Sequence, residues 1–163
     1  MPRRFRLRPA SRRDRESMLV FHRALYVDHR NTLLDGNLQE LYAYKDIASA
    51  LEEDVDSILA NPSSCVLFAE DEGGEVLGYI TGHIERDTRR VLEKRGVVED
   101  WYVEPDARGE GVGRALLDAL LAVFRESGCV VAESSTFPLN AGARRQHEKA
   151  GFHEIEIRYR MKI

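Results

Sequence analysis

An α/β sandwich, with helices packed on a mixed sheet, is the fold class this sequence predicts. Two patterns carry the prediction. Short runs in which apolar and polar residues alternate, the period of a strand, are interleaved with stretches whose apolar residues recur every 3.6 positions. A third observation sets the scale: 163 residues and 18.6 kDa suit one domain, 1–163. A chain of about 150 residues buries about 70% of its unfolded surface, enough for a core without staples. The 43% apolar and 32% charged residues are those of a soluble globular protein.

The elements follow in order. Arg4 to Arg8 reads as a strand with Phe5 and Leu7 inward and the arginines outward, ended by Pro9. Ser11 is placed to cap a helix with Asp14 in its first turn, running to about Tyr26. Leu38 to about Leu59 reads as one helical region, with Leu41, Tyr42, Ile47, Leu51, Val55, Ile58 and Leu59 near helical spacing, stopped by Asn61-Pro62-Ser63. Cys65–Glu70 and Val76–Ile84 form a hairpin across Asp71-Glu72-Gly73-Gly74, whose glycines are expected to supply positive φ. The charged stretch Glu85–Arg95 reads as a loop or solvated helix, and Val97–Val103 as a strand. The clearest helix is Gly113–Ser127, with a stripe of Leu116, Leu117, Leu120, Leu121 and Phe124 and Gly128 as its C-cap. Cys129–Ser135 is a strand, and Asn140 caps a helix to about Lys149 that Gly151 ends. Last, Ile155, Ile157, Tyr159, Met161 and Ile163 alternate with Glu156, Arg158, Arg160 and Lys162, a strand with one buried face.

Charge and composition exclude several function classes. A net charge of −4, from 24 basic and 28 acidic residues, argues against nucleic-acid binding by counterion release, which needs a basic face. No uncharged apolar run approaches the ~20 residues of a membrane span. The first fifteen residues hold seven arginines but no apolar core of a secretory signal, so a cytoplasmic protein is expected. Two cysteines, Cys65 and Cys129, in apolar runs read as free buried thiols rather than a disulfide framework. His22, His29, His83 and His153 show no metal-ligand spacing, so no metal is expected. No Gly-x-Ser-x-Gly elbow marks a nucleophilic serine.

The informative motif is Arg108-Gly109-Glu110-Gly111-Val112-Gly113-Arg114, between a strand and the strongest helix. Glycines let backbone approach a ligand, and the unpaired N–H groups of a helix's first turn face it with the positive end of the dipole. A pyrophosphate is the natural guest, with Arg108 and Arg114 flanking the turn. The spacing is not the dinucleotide fingerprint, since Arg114 stands where its third glycine would be, and no Gly-Lys-Ser/Thr makes it a P-loop. A Rossmann-type domain would also need an acidic residue closing the next strand, and Glu133 lies inside that run.

The segment Val98-Glu99-Asp100-Trp101-Tyr102-Val103-Glu104-Pro105, followed by Arg108-Gly109-Glu110-Gly111-Val112-Gly113-Arg114-Ala115-Leu116-Leu117, resembles the acetyl-CoA-binding core of the GNAT superfamily of N-acetyltransferases. A second block, Asn140-x-x-Ala143-x-x-x-His147-Glu148-Lys149-x-Gly151-Phe152, is similar to that family's Asn-x-x-Ala-x-x-x-Tyr-Glu-Lys-x-Gly-Phe helix. Together they cover roughly residues 96–153. The resemblance implies a mostly antiparallel mixed sheet flanked by helices and splayed between its two central strands. It implies acetyl-CoA as cosubstrate, its pyrophosphate on the amides of Gly109, Glu110, Gly111, Val112, Gly113 and Arg114. Its pantetheine would pair with the backbone of Trp101, Tyr102 and Val103 in the splay, the Val103 amide facing the acetyl carbonyl, and Asn140 and His147 would contact the cofactor. The N-terminal helices, with Tyr26, Tyr42 and Tyr44, would wall the acceptor site, although helical spacing alone reads those tyrosines as core.

The implied reaction is direct transfer of an acetyl group to a primary amine of a small molecule or peptide, in a possible homodimer. An ammonium cannot attack a thioester, so one group must take a proton and another must help the thiolate leave. Strand parity puts Glu99, Trp101 and Val103 on one face and Asp100 and Tyr102 on the other. Glu99 occupies the place of a glutamate in the similar Glu-Asp-x-x-Val run of polyamine N-acetyltransferases, and is the expected base, through water; Asp100 and Glu133 are held in reserve. His147 stands where the family has its proton-donating tyrosine, with a different pH dependence. If His147 is inert, proximity alone would have to carry the reaction. The rival is a non-catalytic acyl-CoA-binding or sensing module.

Overall fold

In a computed structural model, which describes residues 3–32 and 34–163, five strands form one sheet in chain order. They are β1 Phe5–Pro9, β2 Ser64–Asp71, β3 Val76–Arg86, β4 Lys94–Val103 and β5 Val131–Ser134. Neighbours are antiparallel except β4 and β5, which are parallel. Among the described residues there are five α-helices, α1 Arg15–Thr32, α2 Gly36–Gln39, α3 Ile47–Ala60, α4 Val112–Glu126 and α5 Ala141–Ala150, besides short 3-10 turns at Arg12–Asp14 and Pro105–Ala107. The expected mixed sheet flanked by helices is present.

Alternation within the strands sorts side chains onto two faces. On one face the α4 stripe, Val112, Leu116, Leu117, Leu120 and Phe124, buries against Leu67, Ala69, Leu77, Ile80 and Val98. On the other, Met18 and Phe21 of α1 and Val55 of α3 bury against Val66, Phe68, Tyr79 and Tyr102. Phe124 needs glycines beneath it: a Cβ at Gly82 would lie 2.8 Å from its ring, and one at Gly96 2.2 Å. At the other end of the sheet, Ser11 caps the chain ahead of α1 as expected, and with Asp14 it closes a reciprocal capping box. Asp14 also takes both Arg8 Nη groups, at 2.9 and 2.8 Å. Arg8, then burial working against it, then Ser11 set the Asp14 carboxyl at about 2.

The structure redraws several boundaries. α1 continues past Tyr26 to Thr32, and the single helical region expected from Leu38 to Leu59 is two helices. Asp46 caps α3 by accepting from Ser49 N, so the chain turns between residues 40 and 46. The charged stretch is not a loop throughout: β3 runs to Arg86 and β4 starts at Lys94, tied by cross-strand pairs such as Glu85–Arg95, leaving residues 87–93 as the connection. In the β2–β3 turn only Gly74 has positive φ. Cys65 and Cys129 are free and partly buried, and burial raises both thiols.

The largest correction is at the C-terminal end, where the alternating run Ile155–Ile163 forms no strand. Phe152 N donates to His147 O, and beyond it no backbone hydrogen bond is made among the described residues. Alternation makes one apolar face, and among the described residues that face stays largely exposed.

Candidate active site

The β3–β4 ladder slips once. Ile80 faces Trp101 and Gly82 faces Val98, so Glu99 and Asp100 together oppose the single residue Thr81. This is a β-bulge, and it changes which side chains share a face. Val98 joins Trp101 and Val103 on the α4 side, and Glu99 joins Asp100 on the α1 side. The simple parity reading, with Glu99 and Asp100 on opposite faces, is therefore corrected. Asp100 N donates to Thr81 Oγ1 at 3.1 Å, which ties the bulge down.

Both carboxylates are held by histidines. Glu99 lies 3.2 Å from His83 Nδ1, and His83 Nε2 lies 2.8 Å from Glu85. Asp100 Oδ2 accepts from His22 Nδ1 and from the Tyr79 hydroxyl, both at 2.9 Å. His22 reaches Asp54 with its other nitrogen at 3.2 Å. Burial pulls the His22 pKa down, but Asp100 and Asp54 together outweigh it and raise it to about 9, so His22 is an imidazolium at neutral pH. Burial, then Asp100, pushes the Tyr79 phenol well up, keeping it a donor. Tyr44, half exposed, feels burial and then Asp54, and its phenol rises too. It rests 5.4 Å from the Tyr26 ring, while Tyr42 meets Phe137 edge-on. Of the three tyrosines, read as core from spacing, none is fully buried.

On the opposite edge of β4 the sheet opens. Pairing with β5 ends at Val98–Ser134, whereas β4 continues to Val103, so residues 99–103 have no strand beside them there. Glu104 N bonds Leu77 O on the β3 side. Successive residues of a strand point their peptide groups to opposite edges, so those of Val103 face the open one. Arg108 Nε takes the Val103 carbonyl at 2.9 Å, leaving the Val103 N–H. At the apex stands His147, edge-on to Trp101 at 5.6 Å and to Phe152 at 5.4 Å. Its Nδ1 lies 2.7 Å from Ala143 O, an acceptor only, so Nδ1 carries a proton. In the neutral ring Nε2 then accepts from the Ser134 hydroxyl, also at 2.7 Å; in the cation it donates to Ser134 Oγ.

The glycine-rich turn lies just beyond. Gly109 and Gly111 have φ of +84° and +87°, a region costly to other residues, and Gly111 is the N-cap of α4. Among the described residues the amides from Gly109 to Arg114 have no backbone acceptor. Gly113 packs so closely that a Cβ would sit 3.3 Å from both Trp101 Nε1 and Val103 Cγ2, and Trp101 Nε1 donates to Gly113 O at 3.0 Å. A helix N-terminus with free amides, continuous with an unpaired strand edge, fits a diphosphate joined to an extended amide-bearing arm.

The structure brings Trp101, Val103, Gly109–Arg114 and His147 around this fork, with Glu99 at its bulge. Other expected groups are committed elsewhere. Arg108 lies over the Tyr102 ring besides holding Val103, and Arg114 pairs with Asp118, so neither arginine is aimed at the turn. The Tyr102 side chain is buried on the α1 face. Asn140 caps α5 by accepting from Ala143 N, and Glu133 is paired with Arg95. Sequence reasoning missed His22, Tyr79, His83 and Ser134. His22 and Asp100 are 78 positions apart, and no local pattern links them. Among the described residues, no group of three or more histidines, cysteines and carboxylates could hold a metal.

Comparison with known proteins agrees with this geometry. Residues 25–152 match the acetyltransferase (GNAT) family. The aminoglycoside N(6')-acetyltransferase type 1 of Stenotrophomonas maltophilia is 34% identical over 124 residues, 74% of this chain and 80% of that protein. The protein of the same name from Klebsiella aerogenes is 33% identical over 122 residues, 74% and 76% of the two chains. Among solved structures, aminoglycoside N-acetyltransferase AAC(6')-Iy in complex with CoA has the same fold, with a TM-score of 0.76 at 21% identity over 100% of this chain and 98% of that one. The chain belongs to the GNAT family and is an N-acetyltransferase that carries the acetyl group of acetyl-CoA to an amine.

Proposed function

We propose that this enzyme acetylates a primary amine of a small, polycationic amino sugar of the aminoglycoside type. The observation that carries the reading is the bulge that turns Glu99 and Asp100 to the same face, beside Asp54 and the partly exposed Tyr26, Tyr42 and Tyr44. Carboxylates attract ammonium groups, and aromatic rings stack on sugars and cations. The two bacterial relatives are both named for aminoglycosides, which supports the same class.

Each group then has a task. The amides of Gly109 to Arg114 hold the diphosphate, and the open edge of β4 at Trp101–Val103 pairs with the pantetheine amides. The Val103 N–H donates to the carbonyl oxygen as it becomes an oxyanion. Asp100, oriented by His22 and Tyr79, anchors the acceptor, while Glu99, the more exposed of the two, takes the amine proton through water. As the C–N bond forms and the C–S bond breaks, the departing sulfur receives a proton at the Ser134–His147 end of the fork. Asn140, through the Nδ2 its cap does not use, contacts the pantetheine arm.

The test is free-thiol release from acetyl-CoA across a panel of aminoglycosides, polyamines, peptides and amino acids. Turnover with aminoglycosides, and a loss of kcat of about 10²-fold or more in Glu99→Gln, is expected. Cofactor binding without turnover on any acceptor would leave the acyl-CoA-binding module instead. The reading includes one domain over 1–163, a homodimer, and a cytoplasmic setting, where free thiols stay reduced. Among the described residues no helix is long and apolar enough to cross a membrane.

A further inference from the structure

We infer that His83 and Glu99 work as one base, the proton that Glu99 takes from the amine coming to rest on His83 Nδ1 and leaving past Glu85. The inference rests on the reading of Glu99 as the base and deepens it. Its basis is a row of charged side chains across β3, β4 and β5. His83 of β3 stands between two carboxylates, with Glu85 Oε1 2.8 Å from Nε2 and Glu99 Oε1 3.2 Å from Nδ1. Arg95 of β4 fixes Glu85 from behind, its Nε 2.9 Å from Glu85 Oε2 and its Nη1 3.1 Å from Glu133 of β5. In register, Ser64 of β2 and Val97 of β4 flank His83. His22 of α1, with Asp54 of α3 on its other nitrogen, turns to Asp100 instead.

A neutral imidazole has one N–H and one lone pair. Glu85 lies nearer and takes the N–H of Nε2, so the lone pair of Nδ1 faces the Glu99 carboxylate. A proton entering between them turns a repulsion into a charge-assisted hydrogen bond, with both ring nitrogens then donating to carboxylates. Burial pulls the His83 pKa down, but Glu85 and Glu99 outweigh it and raise it above 6.5. His83 and Glu99 therefore take up a proton as a pair.

The transfer needs such a sink. An ammonium loses two protons on becoming an amide; one is matched by the proton that the departing sulfur takes, and the other has to leave the site. Alkylammonium groups titrate near ~10, imidazoles near ~6.5 and carboxylic acids near ~4. Handing the proton from a carboxylate to an imidazole therefore makes its removal about 10²-fold more favourable. The imidazolium then releases a proton to solvent from Nε2, beside the 41% exposed Glu85, and the pair is reset. His83 makes no bond to carbon and acts only through Glu99, as a positioning residue and proton store.

The test is the pH profile of kcat in the full-length protein, with acetyl-CoA and the acceptor of the panel that turns over fastest. Wild-type kcat is expected to rise with pH through a limb above 6.5, where His83 becomes neutral. His83→Gln should lower the plateau about tenfold or more, move that limb down into the carboxylate range, and leave the acetyl-CoA KM within about twofold. Glu85→Gln keeps the imidazole but removes a charge, and should move the limb down by about one unit. His22, raised to about 9, is common to these proteins and cancels in the comparison. Without substrates, NMR titration of the imidazoles should show the His83 pKa falling by about one unit in Glu99→Gln. An undiminished kcat in Glu99→Gln, or no turnover with any acceptor, overturns the base reading and the pair with it. A Glu99→Gln that loses kcat beside a His83→Gln that keeps the wild-type limb overturns the pair alone, as does a His83 titration indifferent to Glu99→Gln.

Discussion

Replacing His22 by glutamine tests whether the acidic face of β4 is built around a buried cation. The imidazole is 15% exposed, with Asp100 on one nitrogen and Asp54 on the other. Its pKa stands at about 9 against 6.5 in an unfolded chain. A group whose folded pKa is raised stabilises the fold fully below its unfolded value and loses that effect as pH climbs through the folded one. Between pH 6.5 and 9.5 the difference from 6.5 to 9 is worth about 3 kcal/mol, at about 1.4 kcal/mol per pH decade. For a chain of this size that is about 6–12 °C in Tm. The assay is urea unfolding of wild type and His22→Gln at pH 6.5, 8 and 9.5. Subtracting the two curves removes the contributions of His83, which is also raised, and His29, which burial lowers. Tyr79 ionises above this window. The wild-type advantage is expected to shrink by about 3 kcal/mol across the range. A difference that stays flat with pH would show that His22 is not charged in the fold.

Other outcomes follow from the same structure. Gly96→Ala puts a methyl 2.2 Å from the Phe124 ring and should cost about 1–3 kcal/mol in urea unfolding. Gly111→Ala, at φ +87°, should cost about 1 kcal/mol in stability and weaken CoA in titration calorimetry. His147→Phe should lower kcat while leaving the CoA dissociation constant within a few-fold. Asp100→Asn should raise acceptor KM more than it lowers kcat, the reverse of Glu99→Gln.

Local signals carried much of this molecule. The leucine stripe of α4, the cap at Ser11 and the glycine turn are written within a few residues each, and the structure has them where the sequence places them. The bulge at Glu99–Asp100 was not legible, because alternation assumes that one residue opposes one, and the extra residue shows only against Thr81 on the neighbouring strand. His22 and Ser134 escaped for a similar reason: each acquires its partner by folding, over 78 and 13 positions. The tail is the opposite case. Its alternation was plain, but a pattern that demands a covered face does not say whether the cover belongs to the same chain.

β5 is paired along its whole length and stops at Ser134, so on that side the margin of the sheet steps inward to residues 99–103 of β4. Bare peptide groups at an outer margin invite any passing chain to dock, which is why natural proteins blunt them. Set back behind the end of β5 and beside His147, the same groups suit a slender guest better than a whole polypeptide. The enzyme can thus keep unsatisfied backbone permanently on offer without the stickiness such backbone brings elsewhere.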